Sequence, residues 1–330
     1  MAKVTRHEVL AQKELEALRE QRRNRFRILA CVDGSEASYD AVRFAARIGR
    51  GDECDIIILN VRLVDHGLRS GGLQVSVARQ NMLDWGLDLP SLRYLKRGLE
   101  VLKEEGISPE DWKSTVAHSD VWGDPLGDNK VEYRKDSGQS VVLKLKTAAN
   151  EASGILDQYE LGPYNLMILG EPSRWRSDVA ALFGGGVAQK VAMLAPCSVM
   201  IARKSLNKKG FFICTDGSER CLTAVRQAAV LAQYAKHPIT LFSVARDRKR
   251  RDAAHKIIEE CKAALKEMKI RVMLEKTAVG DPVEQIIRHG SNHFVTVVSD
   301  SGRGRFTRIF QGSVAYGVMR GAKNAVLTVR

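Results

Sequence analysis

Cys31-Val32-Asp33-Gly34-Ser35-Glu36 returns as Cys214-Thr215-Asp216-Gly217-Ser218-Glu219, 183 positions further on and again behind an apolar run. Two more landmarks follow in the same order. Gly123-Asp124-Pro125 pairs with Gly280-Asp281-Pro282 at an interval of 157. Gly186-Val187-Ala188, ahead of Cys197–Arg203, pairs with Ser313-Val314-Ala315, ahead of Asn324–Arg330, at an interval of 127. Ordered self-similarity of this kind is the signature of a repeated structural unit. The shrinking interval gives the first copy about 26 additional residues between landmarks one and two and about 30 between two and three. Their expected addresses are the Gly-rich stretch 65–91 and the stretch 128–145, where Asp136-Ser137-Gly138 reads as a hairpin turn between two alternating segments. Insertions of this size sit on the surface and often extend a binding face.

Each copy alternates apolar runs with amphipathic segments. In the second, strands are expected at 211–215, 239–244, 271–279, 294–298 and 325–329. Helices are expected at 221–234, 253–268, 283–289 and 314–320. Continuous apolar strands between helices imply a parallel sheet covered on both faces, with the ligand crevice beyond the carboxyl ends of the strands. The expected fold class is therefore α/β, two tandem doubly wound parallel-sheet domains of Rossmann-like type, over residues 25–204 and 209–330. Residues 1–24 carry Val9, Leu10, Leu15 and Leu18 on a helical pattern and read as a capping helix, a partner-facing helix or a plain extension.

The 330 residues and 44% hydrophobic content suffice for two cores without metal or disulfide support. The six cysteines lie mostly in apolar runs and form no Cys-x-x-Cys pair, as expected of reduced thiols in a cytoplasmic protein. The first 27 residues are too charged for a signal peptide, and no apolar run approaches the roughly 18 residues of a membrane span. A formal charge of +13 favours phosphate-bearing partners in general. Arg22 to Arg27 and Arg246 to Arg251 read as solvated faces. Arg303, Arg305 and Arg308 lie inside a candidate ligand loop.

Three loops meet at the carboxyl ends of the strands. Thr215-Asp216-Gly217-Ser218 closes a strand and opens a helix. Asp216 fits a ribose hydroxyl or water around a metal, while capping of the helix by Asp216 and Ser218 is the plainer alternative. Ser299-Asp300-Ser301-Gly302 is followed nine residues later by Gly312-Ser313-Val314. Glycine lets backbone amides approach an anion, and a helix N-terminus adds unpaired N–H groups, so this loop is a candidate phosphate cradle. A ligand-free Gly-rich connection remains the other reading.

An Asp-Gly-Ser after the first strand, a Gly-Asp-Pro after the third, and Gly-x2-Gly-x9-Gly-Ser before the last helix resemble the universal stress protein family over nearly all of both repeats. The resemblance implies an adenine nucleotide, ATP, ADP or AMP, with or without Mg²⁺. It places Asp216, Gly302, Gly312, Ser313 and Val314 on ribose and phosphates, and Val244, Val298 and Gly280 near adenine or ribose. Ser299 stands where the motif has its first glycine; a positive φ there would cost about 1 to 2 kcal/mol. The first copy departs further, since Gly170-Glu171-Pro172-Ser173 lacks the second glycine and Glu171 puts negative charge where phosphates belong. Its remaining candidate contacts are Asp33, Gly170 and Gly185, in an altered site.

The leading reading is a regulatory module whose nucleotide is held mainly by the second copy. His66, His118, His237, His255, His289 and His293 form no nucleophile pattern with Ser or Cys, so at most slow ATP hydrolysis is expected. The alternative is a nucleotide-free scaffold, in which Cys197–Ala202 and Ala325–Val329 pair as a pseudo-dimer within the chain or build a homodimer. Nucleic-acid binding ranks last, because the Arg246–Arg251 run lacks interleaved aromatics.

Overall fold

A computed structural model describes residues 24–64, 90–121, 124–158, 163–172, 186–299 and 314–330. The helical pattern before Arg23, nearly all of the stretch 65–91, and Gly123 lie outside them. So do Arg174, Trp175, Arg176, Gly185, Gly302, Arg303, Arg305, Arg308, Gly312 and Ser313.

The strands are β1 (Phe26–Cys31), β2 (Cys54–Leu63), β3 (Lys113–Val121), β4 (Asp124–Arg134), β5 (Ser140–Ala148) and β6 (Leu166–Gly170). They continue with β7 (Ser198–Ala202), β8 (Phe211–Cys214), β9 (Ile239–Ala245), β10 (Leu274–Val279), β11 (Val295–Ser299) and β12 (Ala325–Val329). The helices are α1 (Glu36–Ile48), α2 (Pro90–Glu104), α3 (Glu151–Leu156), α4 (Val187–Leu194), α5 (Glu219–Tyr234), α6 (Arg251–Glu267), α7 (Pro282–Gly290) and α8 (Val314–Gly321). Side chains that satisfy the first free amides start several of them. Ser35 accepts from the Ser38 N–H (3.2 Å), Ser218 from Cys221 (3.3 Å), and Asp281 from Glu284 (2.9 Å) with Pro282 next to it.

All twelve strands join one sheet, in the order β10-β9-β8-β11-β12-β7-β6-β1-β2-β5-β4-β3. Residues 211–329 thus run through the order third-second-first-fourth-fifth, and residues 26–202 run through it too, once β3 and β4 are set aside. The step between paired strands is the same in both: Ile28 lies beside Ile56, and Phe211 beside Ile239. Pairing is parallel except at β3–β4, β4–β5 and β7–β12. Apolar residues of both sheet faces are buried. Alternate positions pack under α1, α2, α5 and α6 on one side and under α3, α4, α7 and α8 on the other.

The seam between the two runs is antiparallel, with Val326 opposite Ile201, Leu327 opposite Met200 and Thr328 opposite Val199. Two arginines, each just past its last strand, reach across it. Arg203, 1% exposed, donates to the Met319 carbonyl near the end of α8 (2.5 Å) and to the Asn324 carbonyl just before β12 (3.3 Å). Arg330 in turn donates to the Ala192 carbonyl (2.5 Å) and to that of Ala195 at the end of α4. Cationic groups at helix C-termini satisfy unpaired carbonyls and the negative end of the dipole. The Gln189 amide donates to the Tyr316 hydroxyl (2.6 Å), joining α4 to α8, and the Phe44 and Phe294 rings meet at 4.8 Å.

One landmark is corrected. Asp124 opens strand β4, so Gly123-Asp124-Pro125 is not the counterpart of Gly280-Asp281-Pro282. That place belongs to Ala149-Asn150-Glu151, where Asn150 caps α3 by accepting from the Ser153 N–H at 2.9 Å, as Asp281 caps α7. The additional residues of the first run therefore all precede β5: the stretch after β2, and the strands β3 and β4 rather than 128–145. The hairpin turn at Asp136–Gly138 forms as expected, with Gly138 at φ +95° and its N–H on the Lys135 carbonyl (2.8 Å).

The extra strands are tied down by charge. Glu132 on β4 accepts from Lys130 (2.9 Å) and Arg134 (2.5 Å). Burial raises its carboxyl pKa, but these two cations outweigh burial and hold it at about 2, against an ordinary 4.5. A depressed carboxylate stabilises the fold above its unfolded pKa and loses that contribution as pH falls through the folded value. Urea midpoints of the wild type should therefore fall more steeply than those of Glu132→Gln between pH 5 and pH 2; parallel curves would refute the assignment.

Candidate functional site

Strand order reverses between β8 and β11, the place where doubly wound sheets open a crevice beyond the strand ends. Four ends line up there, those of β10, β9, β8 and β11, across three spacings of about 4.8 Å each.

Thr215 and Asp216 follow β8. The buried Thr215 hydroxyl accepts from the Gly217 N–H (3.2 Å) and lies 3.6 Å from the Cys261 thiol. Gly217 has φ +79°, and a Cβ there would come within 2.7 Å of Ile257 on α6. Asp216 is exposed and accepts from the Ser218 N–H at 2.9 Å. Partial burial raises its pKa, but hydrogen bonds from Cys221 and Ser218 outweigh it and keep the carboxyl below its ordinary range. Asp216 is thus a carboxylate at neutral pH, and Ser218 does the capping.

The remaining expected residues fall as follows. Val244 is half-buried on β9 beside Ala278 of β10, and Val298 is buried on β11. Gly280, at φ +135°, donates its N–H to the Ala245 carbonyl (2.9 Å), which closes the end of β10 onto β9. Val314 is half-buried at the start of α8. Thr215, Asp216, Val244, Gly280, Val298 and Ser299 therefore share one end of the sheet. Gly302, Gly312 and Ser313 lie outside the described residues.

Ser299 does not adopt the positive φ considered for it. Its hydroxyl lies 2.7 Å from the Cys221 thiol, whose pKa is raised by burial and by the Asp216 carboxylate. The glycine at the matching place, Gly170, serves close approach instead: a Cβ there would sit 2.6 Å from the Ala37 carbonyl group and 2.7 Å from the Ser38 nitrogen.

In the first run Asp33 is exposed and accepts from the N–H and hydroxyl of Ser35 (2.9 and 2.6 Å). Gly34 has φ +89° and carries the Tyr94 ring directly on it. Gly185 is outside the described residues. Glu171 does not stand as a bare charge in the loop, because its carboxylate accepts from Arg203 at 2.6 Å.

Sequence reasoning missed Ile257, Tyr94, Cys221 and Arg203. Only Arg203 left a signal, since an arginine follows the last strand of both runs, at 203 and 330. Among the described residues, no three His, Cys, Asp or Glu side chains gather as a metal site, and no helix is long and apolar enough to cross a membrane.

Among curated proteins, no sequence matches the chain. Solved structures share the fold. A universal stress protein from Archaeoglobus fulgidus DSM 4304 is 15% identical over 92% of this chain and 96% of its own, with a TM-score of 0.56. A putative universal stress protein from Pseudomonas aeruginosa UCBPP-PA14 is 13% identical over 94% of both chains, also at 0.56. A universal stress protein from Archaeoglobus fulgidus in complex with dAMP covers 37% of this chain and 98% of its own, at 17% identity and a TM-score of 0.32. The universal stress protein family model matches residues 24–203, more than half of the chain, and the protein belongs to that family.

Proposed function

We propose that the protein is a nucleotide-binding regulatory module of two fused universal stress protein domains, in which the second, residues 209–330, holds ATP, ADP or AMP. The observation that carries this reading is the Asp216 loop. An exposed, ionised carboxylate stands beside a glycine at positive φ, at the end of β8 next to β11, in the crevice where the strand order reverses. Asp216 would hold the ribose, and the amides at the start of α8 the phosphates. Mg²⁺ would enter on those phosphates. The matching strand orders and the β7–β12 seam support the division into two domains.

A competent site should gain roughly 2.7 kcal/mol of stability from nucleotide at about 100 times its dissociation constant. Asp216→Ala should lose this protection, and Asp33→Ala should keep it. Urea unfolding with ATP, ADP and AMP, each with and without Mg²⁺, checks both statements. The scaffold reading is favoured by the seam and by the Ser299–Cys221 contact in the crevice, and a protein that none of the three nucleotides stabilises is what it requires.

A further inference from the structure

The run Arg246-Asp247-Arg248-Lys249-Arg250-Arg251 is a built feature rather than a loose tail. It leaves β9 immediately after Ala245, whose carbonyl holds the Gly280 amide, and enters α6, whose Ile257 packs on Gly217. Between them lies a single 3₁₀ turn over Arg248–Arg250. Asp247 fixes that turn by accepting from the Arg250 N–H at 3.1 Å, and its carboxylate lies 3.6 Å from the Arg250 guanidinium. The run therefore stands on the rim of the crevice, between the Asp216 loop and the end of β10.

Its charge is left open. All six residues are exposed, and Arg246, Arg248, Lys249 and Arg251 have no acidic partner among the described residues. Seven other arginines, Arg25, Arg43, Arg47, Arg62, Arg97, Arg134 and Arg203, meet carboxylates. The sequence 183 residues earlier, Leu63-Val64-Asp65-His66-Gly67-Leu68, carries none of these cations.

We propose that Arg246, Arg248, Lys249 and Arg251 form a second phosphate subsite on the crevice rim, for a nucleotide carrying separate phosphates at its two ends, such as a nucleoside 3′,5′-bisphosphate. This rests on the reading of the crevice as a nucleotide site. One phosphate goes to the start of α8 beyond β11. The end of β9, from which the ridge departs, is two strand spacings, about 10 Å, from the end of β11, a gap that one nucleoside and an extended arginine bridge. Guanidinium groups suit such a group because they donate two parallel hydrogen bonds to phosphate oxygens. The ridge carries no aromatic residue from Arg246 to Arg251, so it lacks the stacking platforms of a single-strand binder.

Calorimetric titration of the full chain at low salt with adenosine 5′-monophosphate and adenosine 3′,5′-bisphosphate tests this. The bisphosphate should bind the wild type about tenfold more tightly, the worth of one charge-assisted contact pair, and added salt should erode the ratio. In Arg248→Ser/Arg251→Ser, which leaves the Asp247–Arg250 turn intact, the ratio should fall to about one. A wild-type ratio near one, with the monophosphate still bound, overturns the ridge subsite and leaves the nucleotide site standing. Failure of both ligands to bind overturns both. A mixed-sequence oligonucleotide that binds the ridge while the bisphosphate shows no advantage also overturns it, in favour of nucleic acid.

Discussion

Arg203→Met is expected to lower the unfolding free energy by about 3 to 5 kcal/mol, the largest single effect foreseen for a residue outside the crevice. The side chain is 1% exposed and holds three acceptors at once: the Glu171 carboxylate and the Met319 and Asn324 carbonyls. Methionine fills much of the volume but takes the guanidinium donors away from the Met319 carbonyl near the end of α8 and the Asn324 carbonyl before β12, each at about 1 to 3 kcal/mol. Glu171 itself is 46% exposed, so its loss is tempered by water. Glu171→Gln should therefore cost less than about 1 kcal/mol, in keeping with partly exposed ion pairs. Urea unfolding of the two variants decides the matter. Equal losses would mean that the ion pair, rather than the carbonyls across the seam, is what Arg203 serves.

Gly170→Ala comes next, at about 2 to 4 kcal/mol. The new methyl would meet main-chain atoms of Ala37 and Ser38, not the end of a flexible side chain. Those atoms belong to the first turn of α1, which Ser35 caps, so the helix cannot retreat without losing its start. Ser299→Gly, at the matching position of the second run, should cost below about 1 kcal/mol because only the contact with Cys221 goes. A lower urea midpoint with an unchanged slope is the expected signature for Gly170→Ala. A near-neutral result would show that α1 can slide along the sheet.

The architecture was legible in the sequence because both faces of the sheet are covered. Strands such as Phe211–Cys214 and Ala325–Val329 are buried at every position and read as unbroken apolar runs. The Asp-Gly-Ser loops were legible because positive φ and helix capping are local demands, met by neighbouring residues. Asp124-Pro125 misled for the same reason. Asp124 accepts from the Leu126 N–H at 3.1 Å, a local turn that imitates a helix cap, while its real commitment is the ion pair with Arg62 at 2.5 Å. Its true counterpart, Ala149-Asn150-Glu151, has neither glycine nor proline to announce it.

The crevice was legible only in part. The Asp-Gly-Ser motif pointed to Thr215 and Asp216, and the family resemblance added Val244, Gly280 and Val298, all of which lie at or next to a strand's end. The sequence could not distinguish a glycine required for φ, as at Gly217, from one required for close approach, as at Gly170. Nor could it find contacts between distant segments: Ile257 meets Gly217 forty residues away, and Arg203 reaches from one run of strands to the helix of the other.

The seam has a kinetic consequence. Because β7 and β12 belong to one chain, their pairing is tethered, and its closure is a first-order event whose equilibrium dilution cannot shift. The two runs of strands therefore stay joined edge to edge at any concentration of the chain.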